Sequence, residues 1–337
     1  MLAVTLVGAC TPRQQGSTDD TVDTSPTTTV EEGSFYEATI RRTTDGVPHI
    51  LADDLKGAFF GQGYASAQDH GCSLADQLLR IEGRRAEFFG AGENNSFLDS
   101  DVAWRSIGID EIARADYETT DPQVVEEFEA FAAGWNQFLD DNTDLTGWCA
   151  GEPWVFKVSG ADVYSYARAI ALTASSAQLV SYIAAATPPE PAADTTVPST
   201  DDADTSSTTS AAAAFEVLDD QPIASNGWAI GADRTTGGQG GLLLANPHFP
   251  WEGELRFWEV QLTVPGELDI YGAQLLGVPG VGIGFTNTFA WTHTVSAGNR
   301  FTAYTLTLDP DDPTSYLVDG ESRPMTSTFV DVELLQP

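Results

Sequence analysis

Ala224-Ser225-Asn226-Gly227-Trp228 is the stretch on which the reading of this chain turns. It lies shortly after residues 187–214, which are mostly Thr, Pro, Ala, Asp and Ser with no aromatic, and where short apolar runs begin. A cut before Ser225 would leave a free α-amine beside its own hydroxyl. Such an amine has a pKa of about 7.7–8.0, so a useful fraction is neutral near pH 7. It can take the hydroxyl proton, directly or through a water. Nucleophile and base then arrive in one residue, and no distant histidine is needed. Uncut, Ser225 is an ordinary serine opening a strand, so the surrounding sequence must decide.

Downstream the pattern is that of strands. Trp228–Gly231, Gly241–Leu244, Arg256–Val264, Val281–Phe285, Phe289–Thr294 and Phe301–Leu308 are short β-type runs between Gly, Pro and Asn turns. Trp258, Val260, Leu262 and Val264 alternate with Glu259, Gln261 and Thr263, the period of a half-buried strand. Upstream, residues 34–186 are mainly helical. Lys56–Phe89 carries Leu74, Leu78 and Ile81 at helical spacing. Gln123–Leu139 puts Val124, Phe128, Phe131 and Trp135 on one side, and Ala161–Ala186 predicts a third helix. Before them, Glu37–Ile40 and Val47–Leu51 predict a hairpin turned at Asp45-Gly46. A structureless stretch as long as 187–214 is rare inside a compact domain, so it is either a linker or a segment to be removed.

Charge excludes some functions. The chain has 337 residues, with 15 basic against 50 acidic side chains and a net charge of −35. A nucleic-acid binder needs a basic stripe, and there is none. Anionic lipid surfaces repel such a chain unless something covalent holds it there. The two lysines are Lys56 and Lys157, and no GxxxxGK[ST] is present. GxSxG, HExxH and SxxK are absent as well. The four histidines, His49, His70, His248 and His293, share no zinc spacing with cysteine. No metal or organic cofactor is expected.

The start of the chain concerns address. Residues 2–9 form an apolar run too short to span a bilayer. Val7-Gly8-Ala9-Cys10 resembles the lipobox of bacterial lipoproteins, in which the cysteine is lipidated. Residues 1–10 are therefore read as a lipoprotein-type signal without a positive n-region, and residues 11–33, rich in Thr, Ser and Asp, as a disordered tether. The alternative is a chance apolar start with a free cysteine. An exported or lipid-anchored protein meets an oxidising compartment, where Cys72 and Cys149 are expected to pair. Two buried thiols are the other outcome.

Further motifs follow Ser225: Leu242-Leu243-Leu244-Ala245-Asn246-Pro247-His248-Phe249-Pro250-Trp251, then Pro279-Gly280, then Asn287–Thr294. In order, these resemble the start of the β-chain of the penicillin acylase family of N-terminal-nucleophile hydrolases. Upstream, Asp45-Gly46-Val47-Pro48-His49-Ile50, Gly61-Gln62-Gly63-Tyr64-Ala65 and Ala67-Gln68-Asp69 resemble the opening of its α-chain. Ala245–Trp251 and Trp291–Val295 are most similar to the acyl-homoserine-lactone and aculeacin A acylase branch. The resemblance spans about residues 36–337, interrupted by 187–224.

The resemblance implies an α+β fold, the αββα sandwich of that class. It implies an α-chain region at 34–186, a spacer at 187–224 and the N-terminal part of a β-chain at 225–337. The two chains would form an α/β heterodimer after self-cleavage between Ala224 and Ser225. Ser225 is implied as nucleophile and His248 as the residue that orients its amine, with a structural loop histidine as the alternative. Val295 is implied as a backbone oxyanion donor, a role indifferent to side chain. Asn226 is read either as a bonding partner near the nucleophile or as a polar residue opening the strand. Phe249 and Trp251 are read either as an acyl pocket or as core. The implied substrate is an N-acyl-homoserine lactone or an acylated peptide, with a penicillin or cephalosporin acylase as runner-up. A non-cutting, envelope-tethered binding protein is the reading from another class. Two features depart from the family. Ser296–Arg300 carries no carboxylate for the calcium that some members bind. The family's second oxyanion donor, a distant asparagine, has no match before Pro337, so a C-terminally truncated and inactive product is expected.

Overall fold

Periodicity along residues 257–264 sets the inside of the molecule. In the computed structural model, Trp258, Val260, Leu262 and Val264 are buried, while Glu259, Gln261 and Thr263 face away. The described residues are 27–32, 36–142, 147–186, 224–238, 240–253, 255–296 and 304–335. In chain order the elements begin with β1 (Thr27–Glu32), β2 (Tyr36–Arg42) and β3 (Pro48–Leu51). The helices follow: α1 (Leu55–Glu82), α2 (Arg85–Phe89), α3 (Ser96–Ile107), α4 (Ile109–Tyr117), α5 (Pro122–Asp141), α6 (Gly160–Ala171) and α7 (Val180–Ala185). Then come β4 (Ala224–Ile230), β5 (Leu242–His248), β6 (Phe257–Val264), β7 (Leu268–Leu275), β8 (Ile283–Phe285), β9 (Ala290–Trp291), β10 (Leu308–Asp309), β11 (Asp312–Val318) and β12 (Glu321–Pro324).

Seven strands form one sheet in the order β1-β2-β3-β6-β7-β8-β9. Its pairs are antiparallel except β3 with β6, which run parallel with Ile50 beside Leu262. That junction joins the two sides of residues 187–223. Ala38, Ile40 and Ile50 share the buried face with Val260 and Leu262, and α1 covers it. Burying each such Val, Leu or Ile contributes about 1.5–3 kcal/mol. α5 crosses α1 so closely that the backbones touch. A Cβ on Gly63 would lie 1.9 Å from the Phe131 carbonyl oxygen, and one on Gly134 1.9 Å from that of Phe60. Helices layered on one face of a mostly antiparallel sheet make an α+β architecture.

The expected hairpin is β2–β3, and Gly46 turns it with φ +87°. Cys72 of α1 and Cys149 are joined by a disulfide, with Cα atoms 5.4 Å apart. The expected third helix is broken. α6 ends at Ala171 and α7 starts at Val180, because Thr173 Oγ1 bonds the Ile170 carbonyl and Ser175 Oγ that of Leu172. Helices α3 and α4 were not foreseen. Within the stretch read as a disordered tether, Thr27–Glu32 instead pair with β2, as β-branched Thr and Val suit an edge strand. Of the strand expected over 301–308, Leu308–Asp309 pair with β11, residues 304–307 form no strand although the Thr307 carbonyl accepts from the Leu317 N–H, and 301–303 lie outside the described residues. The Cys10 lipobox and the spacer up to residue 223 also lie outside them.

Candidate active site

Ser225 enters β4, whose antiparallel partner is β5. Leu242–Leu244 supplies an apolar run that pairs with Trp228–Ile230, and Thr235 pins the connecting loop by donating to the Ala232 and Gly240 carbonyls at 2.9 and 2.8 Å. The register places Ala224 opposite His248, Ser225 opposite Pro247 and Asn226 opposite Asn246. Directly opposed residues hold their Cβ atoms about 4.5–5.5 Å apart and share a face. His248 therefore stands beside the Ala224–Ser225 peptide, closing a strand rather than sitting on a loop. Proline has no N–H for the ladder and is confined to strand edges, which suits Pro247 at the last pair but one.

Alternation sorts the two faces of this ribbon. Trp228, Ile230, Leu242 and Leu244 share the face of His248 and are exposed at 51%, 41%, 54% and 54%. Ser225 and Gly227 share the other face. A Cβ on Gly227 would meet Thr292 Cγ2 at 2.9 Å and Thr294 Cγ2 at 3.9 Å. The Ser225 hydroxyl thus leaves the ribbon on the side of the segment leading into Val295, while His248 stays on the side of the peptide that would become the amine. Val295 is half-buried.

The two acyl-pocket candidates separate. Phe249 packs against Phe257 with tilted rings, centroids 5.0 Å apart, whereas Trp251 is 93% exposed. A cavity of about 390 Å³ lies elsewhere, on the outer face of β2 and β3, lined by Arg41, His49 and Thr263 among others. It includes neither Ser225 nor His248. His293 is exposed, and His49 leans on Tyr271 at 6.2 Å. Among the described residues no cluster of His, Cys, Asp and Glu could hold a metal ion, and no helix is long and apolar enough to cross a membrane.

Other functional-grade contacts tie α1 to the strands beyond residue 223. Asp69 accepts from Trp258 Nε1 at 2.9 Å and pairs with Arg42 at 3.0 Å. Arg256 donates to His70 Nδ1 at 2.9 Å. Burial, with the Arg256 charge next, pushes the His70 pKa down to about 4. Gln62 bonds the Gly280 backbone. Gln62, Gln68 and Asp69 were legible as family motifs, but nothing in sequence spacing shows their partners.

Residues 37–335 match the family model described as penicillin amidase. The chain belongs to the penicillin amidase family. It is 38% identical over 311 residues to an acyl-homoserine lactone acylase PvdQ of Pseudomonas fluorescens, covering 89% of this chain and 38% of that protein. It is 37% identical over 326 residues to the aculeacin-A acylase of Actinoplanes utahensis, covering 92% of this chain and 40% of that one. A solved thermostable penicillin G acylase from Alcaligenes faecalis overlays with a TM-score of 0.36 and 21% identity, covering 49% of this chain and 97% of that one. That overlay adds nothing to the assignment. The chain spans about 38% of the length of the PvdQ relatives it matches.

Proposed function

We propose that this chain carries the nucleophile of an amide-cleaving acylase and matures by cutting itself before Ser225. The observation that carries the proposal is the β4–β5 register, with His248 beside the Ala224–Ser225 peptide and the Ser225 hydroxyl facing the Thr292–Val295 segment. In maturation, Ser225 Oγ attacks the Ala224 carbonyl carbon. The acyl group passes from N to O, leaving an ester and a free amine. Water then releases residue 224 as a carboxylate. In turnover, the new α-amine takes the Ser225 hydroxyl proton and Oγ attacks the substrate amide. The Val295 N–H stabilises the oxyanion, worth a factor of about 10²–10³ for one such donor. The leaving amine carries away the proton, and water hydrolyses the acyl ester. No step requires a metal or organic cofactor.

The substrate class proposed is an N-acyl-homoserine lactone or an acylated peptide, by analogy with the relatives' names. A penicillin or cephalosporin acylase is the alternative within the family. Residues 187–224 act as the spacer that is lost, so the working form is an α/β heterodimer. Lipidation of Cys10 places it, exported, at the cell envelope.

Intact mass spectrometry with N-terminal sequencing, on the chain extended with its downstream sequence, tests the mechanism, beside Ser225→Ala. A new N-terminus at Ser225 in the wild type alone is expected. A wild-type chain left uncut overturns the mechanism and favours a non-cutting binding protein.

A further inference from the structure

Gln62 is fully buried in α1, and among the described residues its side-chain amide bonds backbone rather than another side chain. Its Nε2 donates to the Gly280 carbonyl at 2.8 Å, and its Oε1 accepts from the Gly280 N–H at 2.8 Å, across 218 residues of sequence. Both hydrogen-bonding groups of one turn residue are thus clamped by one side chain. A buried amide left unpaired is costly, so neither partner can drift without the other. Two residues on, the Gly282 carbonyl accepts from Trp291 Nε1 at 2.7 Å. Trp291 is followed at once by Thr292, which lies against Gly227. The backbone then runs to Val295. A continuous physical path joins the helix upstream of the spacer to both sides of the candidate centre.

We propose that Gln62 is a positioning residue for that centre, setting through Gly280–Gly282 and Trp291 where the Val295 N–H lies relative to Ser225. This rests on the reading of Ser225 and Val295 given above. Gln62 touches no reacting atom. It fixes the turn, the turn fixes Trp291, and Trp291 fixes the strand end beside the nucleophile. After the proposed cut, this clamp joins the β3–β6 pairing and the Asp69–Trp258 and His70–Arg256 bonds in tying the upstream piece to the downstream one.

The test is a double-mutant cycle on the full chain, using Gln62→Ala and Trp291→Phe and reading two quantities. One is the rate at which a Ser225 N-terminus appears. The other is amide hydrogen exchange over residues 286–296. Each single variant should slow cleavage at least ~10-fold and speed exchange over 286–296 by a similar factor, with α1 unchanged. The double variant should be no slower than the worse single, because both break one path. Multiplying effects, or exchange that rises everywhere, would reduce Gln62 to a general stability role and overturn the proposal. If Gln62→Ala fails to fold, Gln62→Glu keeps an acceptor for the Gly280 N–H but loses the donor, and should give an intermediate rate. Cleavage in Gln62→Ala within 2-fold of wild type also overturns it. An uncut wild type sinks the Ser225 reading instead, and exchange over 286–296 still decides whether the clamp holds that segment.

Discussion

Acid should weaken this fold through His70. The residue breaks α1, with φ −142° and ψ 16°, and its ring stands edge-on to Trp258 at 6.2 Å. A guanidinium only donates, so Nδ1 must be unprotonated to receive Arg256. Burial first, then the Arg256 charge, lowers the ring from 6.5 to about 4, with Arg42 adding to the fall and Asp69 opposing it. Between those values the unfolded chain binds a proton that the native state refuses, so stability rises with pH across that window. It is fully present above about pH 6.5 and lost as the pH falls through 4. The shift corresponds to about 3 kcal/mol, at a slope of up to ~1.4 kcal/mol per pH unit. His70→Gln retains an acceptor for Arg256 and does not titrate. Urea unfolding of both proteins between about pH 7.5 and 4 reads the difference. The carboxylates titrate in both and largely cancel. The wild type should lose about 3 kcal/mol relative to the variant on acidification. A difference that stays flat with pH would refute the account of His70.

Reducing the Cys72–Cys149 bridge opens a loop of 77 residues, which chain entropy values at about 4 kcal/mol; denaturant midpoints with and without reductant should show it. Gly134→Ala puts a methyl into the Phe60 carbonyl and should cost about 3 kcal/mol by chemical unfolding, since backbone cannot step aside as a side chain does. Val295→Ala should leave maturation and turnover near wild type, whereas Val295→Pro deletes the N–H and should slow both by about 10²–10³-fold. His248→Ala should slow the appearance of the Ser225 terminus, and an unchanged rate would remove His248 from the centre.

Much of the frame is written locally. Alternation at Trp258–Val264 and the Asp45-Gly46 turn need only neighbours, and the structure forms both as expected. The β4–β5 pairing was half legible. Gly241–Leu244 read as a strand, but its continuation through Asn246-Pro247-His248 did not, because proline argues against a strand and only the partner strand rescues it. Helices α3 and α4 went unread, since both are short and Gly108, at φ +67°, ends one and opens the next. The break between α6 and α7 depends on hydroxyls folding back onto carbonyls, which composition hides. The partners of Gln62 and His70, Gly280 and Arg256, lie outside the strands and beyond the spacer, and no local pattern can name them. Trp251 differs again: it is exposed, and neither a pocket nor a core contact could be read for it from its neighbours in sequence.

The parallel junction of β3 with β6 joins the two sides of the proposed cleavage site, and so bears on the lifetime of a cleaved form. While the chain is whole, residues 187–223 act as a leash, and closing even a long loop costs only a few kcal/mol, rising slowly with length. On the proposed cut before Ser225, the same pairing would link two molecules. Unfolding then releases pieces that must find each other by diffusion, and recovery becomes second order in concentration. The uncut form should refold from urea at any dilution. The cut form should regain structure only when concentrated, so maturation exchanges reversibility for persistence.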